Sequence, residues 1–267
     1  MEIELLHILL GLLIGLVMGL TGAGGGIIGV PLLVLAGGLS MSAAVPIALM
    51  AVFAAALSAT LVGLKNRQVR YRAAFLMALA GALLSPAGLW LGQQLDQQLL
   101  KGLFGLLLLV LAVRALRQKS SALDEDVSTF VPCIRDDGTG RFQWTSRCAR
   151  YLAMSGGGAG FMSGLLGVGG GFVIVPALQK YTDLGMRSVV ATSLAVTLLI
   201  SFTVVVTSAV AGKIDTAIAW PFVAGALGGM VMGQAIAGRL NRQQVQKAFA
   251  WLLVVVAALM LMKAFGI

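Results

Sequence analysis

Charge is scarce in this 267-residue chain: Lys, Arg, Asp and Glu make up 11% of it, against 59% hydrophobic residues and a mean hydropathy of +0.97. Soluble globular domains carry roughly a quarter of their residues as charges, so a soluble fold is excluded. No acidic residue falls inside an apolar run. Glu2 and Glu4 lie at the amino terminus, Asp96, Asp183 and Asp215 lie in short connections, and the rest sit in one polar segment. An intramembrane proton relay ordinarily uses such a group, and none is expected here. His7 is the only histidine and reads as an interfacial residue. Without a second histidine, a buried carboxylate or a cysteine in an apolar run, a membrane hydrolase or metalloenzyme has little to work with. The protein is therefore read as no enzyme, with no metal and no cofactor. Ser163 in GFMSG has no base to activate it. The two cysteines, Cys133 and Cys148, share the polar segment. They are read as a reduced pair in a cytosolic loop, because a metal site would need more ligands.

The formal charge of +9 does not indicate nucleic acid. The basic residues lie between apolar runs, where the positive-inside rule accounts for them, and no basic face is interleaved with aromatics. No lipid-anchor motif occurs. The opening MEIELLHILL carries acid rather than Lys or Arg and has no small-residue cleavage site, so it reads as mature helix rather than signal peptide.

What the chain has in quantity is apolar length. Six runs, near 43–64, 73–93, 99–117, 188–210, 217–238 and 246–266, are long enough to cross a hydrocarbon core about 30 Å thick. Sliding the sequence against itself by 145 residues aligns GLVMGLTGAGGGIIGVP (15–31) with GFMSGLLGVGGGFVIVP (160–176), nine of seventeen positions being identical. The same offset pairs Met41 with Met186, Gly88 with Gly233, Leu95 with Leu240 and Phe104 with Phe249. Residues 1–117 and 149–267 are thus two copies of one membrane unit. Between them, 118–148 is a polar cytosolic linker whose TFVPCIR and RFQWTS arms around DDGTG suggest a β-hairpin.

About 16 residues precede the first glycine cluster and about 13 follow it, so each arm reaches roughly 20–24 Å at 1.5 Å per residue and spans the core poorly. Each copy is read as a Gly-rich broken re-entrant helical hairpin plus three transmembrane helices, which makes the two copies inverted repeats of an all-α polytopic membrane protein. The alternative is a parallel arrangement of four plus four helices. Charge discriminates between them: outside the central segment, Lys and Arg divide nine inside to three outside for inversion but six to six for parallel repeats, and the positive-inside rule favours the former. Both termini are then expected on the outer side. Tyr71, Trp90, Tyr151, Tyr181, Trp220 and Trp251 fall near helix ends, as interfacial aromatics do.

Glycine suits a hairpin tip because it accepts positive φ and lets backbone N–H groups approach a ligand. The helix following each tip points unpaired N–H groups and its positive dipole end at the same place, a setting that favours an anion. The candidate substrate-binding residues are Thr21, Gly22, Gly24, Gly25 and Gly26 at one tip and Ser163, Gly167, Gly169, Gly170 and Gly171 at the other. Thr192, Ser193 and Thr197 of the run 188–210 join them. Ser193, Thr197, Ser201 and Ser208 recur on one helical face, where they either complete an anion's hydrogen bonds or bond backbone carbonyls and pack. Gly15, Gly19, Gly160 and Gly164 form GxxxG pairs of the kind that serve close helix packing. GAGGGII lacks the Lys-Ser/Thr of a nucleotide-phosphate loop.

GLVMGLTGAGGGIIGVPLL, its echo GFMSGLLGVGGGFVIVPAL, and the segments GMRSVVATSLAVTLL, GKIDTAIA and GQAIAGRL resemble the TauE/SafE sulfite exporter family of bacterial permeases. The resemblance covers both halves and leaves the linker unmatched. It implies secondary transport of small sulfur-containing anions, such as sulfite, sulfoacetate or other organosulfonates, by a multi-pass protein of the cytoplasmic membrane. The partners expected are that anion and the lipid bilayer, with no nucleic acid; a homodimer is left open. The rival readings are a passive anion channel and a non-transporting receptor or assembly subunit.

Overall fold

The computed structural model describes residues 2–21, 25–117, 133, 145–237 and 242–265. Among these the chain is almost entirely helical and contains no strand: α1 (Glu2–Thr21), a 3-10 turn (Gly25–Ile28), α2 (Gly29–Leu35), α3 (Met41–Lys65), α4 (Tyr71–Gln94), α5 (Gln97–Arg117), α6 (Ser146–Leu166), α7 (Gly171–Tyr181), α8 (Met186–Val210), α9 (Thr216–Ala237) and α10 (Arg242–Phe265). Six of these, α3, α4, α5, α8, α9 and α10, are long and apolar enough to cross a membrane, and they coincide with the six apolar runs. Capping residues set several helix starts. Ser40 Oγ accepts the N–H of Ala43 at the start of α3, and Thr145 Oγ1 accepts that of Cys148 at the start of α6, each satisfying one orphan donor of a first turn. Large apolar side chains such as Phe75, Leu83, Val210 and Val231 point outward. In water this would be a liability, and in lipid it is the expected surface.

The order of contacts along each helix gives the relative sense of neighbours. Gly63 of α3 faces Ala191 of α8, and Phe53 packs on Phe202 with ring centroids 5.7 Å apart, so α3 and α8 run antiparallel. Arg70, just before α4, donates its N–H to Thr192 Oγ1, and Gly81 lies against Ile200, so α4 runs in the same sense as α8. Gly156 on Met77, Gly160 on Gly81 and Gly164 on Ser85 make α4 and α6 parallel. Gly11 on Phe222, Gly15 on Ala226 and Gly19 on Met230 do the same for α1 and α9. Each sequence half therefore lends a helix to a seam with the other.

At the second glycine cluster the chain turns back. Gly170 lies on Ala159, and Tyr181 stacks on Tyr151 at 4.8 Å between ring centroids, so α6 and α7 form an antiparallel hairpin with the glycines at its tip. In the first half, Gly26 against Val52 and Gly29 against Ala48 lay the turn and α2 antiparallel along α3.

One expectation is corrected. Cys133 and Cys148 are not a reduced pair but a disulfide, with Cα atoms 5.0 Å apart. The Cys133 N–H donates to Tyr181 O at 3.2 Å, in an isolated bridge with Thr182, which sets the cysteine against the end of α7 beside the first turn of α6 that carries Cys148. Both cysteines are fully buried. Burial withholds the bond from attacking thiolates. The expected linker β-hairpin falls, apart from Cys133, outside the described residues. The bond closes a sequence separation of 15 residues, for which chain entropy gives about 3 kcal/mol. Cys148→Ser is accordingly expected to lower the thermal unfolding midpoint in detergent by several degrees, and reductant acting on the parent slowly enough to report its burial should reproduce the shift.

Candidate functional site

Local backbone chemistry builds the second tip. Gly167 ends α6 at φ 71° and donates its N–H to Ser163 O at 2.8 Å. Gly169 and Gly170 follow at φ 73° and 69°, values that side chains with a Cβ adopt at a cost of roughly 1–2 kcal/mol. α7 then begins at Gly171, whose N–H bonds to Gly169 O at 2.8 Å. The N–H groups of Val168, Gly169 and Gly170 form no backbone hydrogen bond among the described residues.

The two tips come together on one side chain. A Cβ built on Gly26 would lie 2.8 Å from Val52 Cγ2, and one built on Gly169 would lie 3.0 Å from Val52 Cγ1 and 3.6 Å from Thr197 Cγ2. Val52 and Thr197 are repeat counterparts at the 145-residue offset, and each stands near the middle of its helix, α3 (Met41–Lys65) or α8 (Met186–Val210). Between the tips is a small pocket of about 10 Å³, room for about one water molecule. Ala55 and Ala56 of α3, Leu194 and Thr197 of α8, Met18 of α1 and Met230 of α9 complete its walls. Thr197 lines it, and its Oγ1 is buried with no hydrogen-bond partner among the described residues. A buried hydroxyl without a partner costs about 1–3 kcal/mol, so a pocket that keeps one is suited to a ligand that accepts a hydrogen bond from it. The site offers neutral donors and no cation, and backbone concavities of this kind bind anions in many proteins.

The sequence-predicted residues divide accordingly. Gly26, Gly169 and Thr197 meet at the pocket, while Gly167, Gly170 and Gly171 shape the tip that lines it. Ser163 and Ser193 are buried with hydroxyls unpartnered among the described residues, as are Ser201 and Ser208 of the stripe. Thr192 instead accepts the Arg70 N–H at 3.1 Å and ties α8 to the start of α4. Thr21 donates its hydroxyl to Val17 O, one turn back in α1, at 2.8 Å. Gly25 belongs to the 3-10 turn; Gly22 and Gly24 lie outside the described residues. Sequence reasoning missed Val52, Leu194, Met18 and Met230, which carry no chemical signature. The repeat offset that pairs Val52 with Thr197 was the one available signal.

A bundle with an apolar exterior, six helices of membrane-spanning length and a buried neutral-donor pocket at mid-helix depth is a multi-pass membrane protein of the transporter class. The chain belongs to the TauE/SafE sulfite exporter family, whose model matches residues 7–260. It is 25% identical over 260 residues to the probable membrane transporter protein YunE of Bacillus subtilis, covering 94% of this chain and 93% of that one. It is 28% identical over 243 residues to a probable membrane transporter protein of Xylella fastidiosa strain 9a5c, covering 89% and 87% respectively. These are transport proteins by name, not enzymes. No solved structure matches the chain significantly.

Proposed function

We propose that the protein is a secondary transporter of small sulfur-containing anions, such as sulfite, sulfoacetate or related organosulfonates, in the cytoplasmic membrane. Two inverted repeats alternate access to the pocket between their Gly-rich tips. The observation that carries the reading is the convergence of Gly26 and Gly169 on Val52, beside the unpartnered Thr197. The opposed senses of the counterpart helices α3 and α8, together with the folding back of α6–α7, support inversion. The family name supports a sulfur oxyanion as cargo. Lys65, Arg67, Arg70, Arg72 and Arg187 cluster around one end of α3 and α8, the end that the positive-inside rule assigns to the cytosol; they would concentrate anions at that mouth, an effect that salt weakens. The pocket at about 10 Å³ is too small for any of these anions, so binding requires the tips to separate, as alternation between two faces does.

Reconstitution into liposomes with sulfite, sulfoacetate, sulfate and simple carboxylates tests the reading. Saturable flux of the sulfur anions is expected; flux that does not saturate favours a channel, and no flux of any anion removes the transport reading. Thr197→Val, which keeps shape and loses the hydroxyl, is expected to reduce initial uptake about fivefold, the equivalent of one hydrogen bond of about 1 kcal/mol. Thr197→Ser should retain most of it.

A further inference from the structure

We propose that Leu194 is the gate on the arginine-rich face, the side chain that separates an open vestibule from the pocket between the tips. This rests on the transport reading above for its purpose, but its geometry stands independently. A cleft of about 270 Å³ opens where the end of α3 meets the start of α8, with Ala59, Gly63, Gln68, Arg187, Ala191 and Leu194 among its walls. Leu194 also lines the tip pocket. Among the described residues no other belongs to both.

The register of the two helices explains why. Ala191, Leu194 and Thr197 succeed one another at three-residue intervals, each step turning about 60° around α8, so Leu194 lies between the directions of the other two. Ala191 faces the cleft, Thr197 faces the pocket and Leu194 stands between. On α3, Ala59 and Gly63 line the cleft while Val52, Ala55 and Ala56 line the pocket. Except for Val62, which is exposed at the cleft, and Val52, which the tips cover, this wall consists of alanine and glycine. One track therefore runs from Arg187 to Gly169, and the side chain that stands between its two parts is a half-buried leucine.

Met41, Ser42 and Val45, which the 145-residue offset pairs with Met186, Arg187 and Val190, do not repeat this cleft: they line a separate space of about 10 Å³ together with residues of α4, α5 and α6, and no described residue of α8 lines it. Gln93 lines it too and accepts a hydrogen bond from Lys213 Nζ, which ties the α8–α9 connection to the end of α4. The conformation is open toward Arg187 as far as Leu194.

Thiol accessibility in the full-length protein tests the gate. Thr197→Cys is introduced, and sealed vesicles are treated with 2-sulfonatoethyl methanethiosulfonate, a membrane-impermeant anion. Asn66→Cys and Ala211→Cys, in exposed connections at the two ends, report which face the reagent reaches, so absolute topology need not be assumed. The native cysteines are disulfide-bonded and buried, and the parent supplies the background. Leu194→Ala is expected to speed reaction at Thr197→Cys at least tenfold from the Asn66 face and not from the Ala211 face, with Leu194→Met near the parental rate. An unchanged rate, or equal acceleration from both faces, overturns the gate. If Leu194→Ala does not yield folded protein, Ala59→Leu with native Leu194 should slow the reaction several-fold from the Asn66 face by narrowing the track; no change there overturns the proposal equally. Intact anion flux with unchanged labelling refutes the gate alone. The expected labelling with no anion flux refutes the transport reading alone.

Discussion

Gly169→Val is expected to abolish anion uptake, to background and by at least a hundredfold, in protein that remains inserted and folded. Two independent effects combine at this position. The backbone stands at φ 73°, a region that a β-branched residue occupies only as an outlier. The new Cβ would also lie 3.0 Å from Val52 Cγ1 and 3.6 Å from Thr197 Cγ2, before the two methyl groups are added. A pocket of about 10 Å³ cannot take them without moving the tip off α3, and valine brings no donor to replace an amide that it covers. Gly170→Ala separates the two effects: its φ of 69° is equally unfavourable, but its nearest neighbours, on Ala159, are 3.4 Å away. That variant should lose roughly 1–2 kcal/mol of stability through backbone strain and keep partial uptake. The measurements are initial uptake in liposomes beside size-exclusion profile and thermal unfolding. Full uptake by well-folded Gly169→Val protein would remove the tip from the mechanism.

Why Gly169 could be found by reading and Val52 could not has a physical basis. Spanning helices announce themselves through length and apolarity, since the bilayer leaves few alternatives for such segments; all six runs became helices of membrane-spanning length. The glycine cluster of the second half was visible because a backbone reversal at positive φ selects one residue type. Side-chain direction was not visible at the same grain. Thr192 and Thr197 are five residues apart, about 140° around a helix with 3.6 residues per turn, so proximity in sequence placed together two hydroxyls that face different neighbours. The disulfide was hidden for another reason: two cysteines in a polar segment say nothing until Cys133 is seen against the end of α7, where the Tyr181 carbonyl takes its N–H. The apolar walls of the pocket, Val52 and Leu194 among them, differ from ordinary core residues only by position, and position is set by how α3 and α8 cross.

Gly160→Leu is expected to prevent recovery of folded protein, whereas Gly158→Leu, two residues away on α6, should behave as the parent. A Cβ at Gly160 would stand 2.1 Å from Gly81 O and 2.4 Å from Gly81 Cα, both backbone atoms of α4, while at Gly158 nothing lies within 4 Å. Backbone cannot rotate away as a side chain can, so the helices must part along the whole seam, which Gly156, Gly160 and Gly164 line on α6 and Gly81 and Gly88 on α4. Within lipid, separated helices gain nothing from apolar contact, because the tails are as apolar as leucine, and packing lost at the seam is not recovered elsewhere. The same holds at the other seam, where a Cβ on Gly15 would stand 1.9 Å from Ala226 O, so Gly15→Leu should fail alike. Fluorescence-detected size exclusion and yield after extraction read the outcome; a monodisperse, thermally stable Gly160→Leu protein would refute the seam. Its closeness also bears on how the proposed alternation proceeds. Glycine binds α1 to α9 and α6 to α4, each pair drawn from opposite halves, so under that proposal the bodies that rock are those cross-half pairs rather than the two halves of the sequence. The relative movement then falls at the interface of α3 and α8, where the pocket and Leu194 lie.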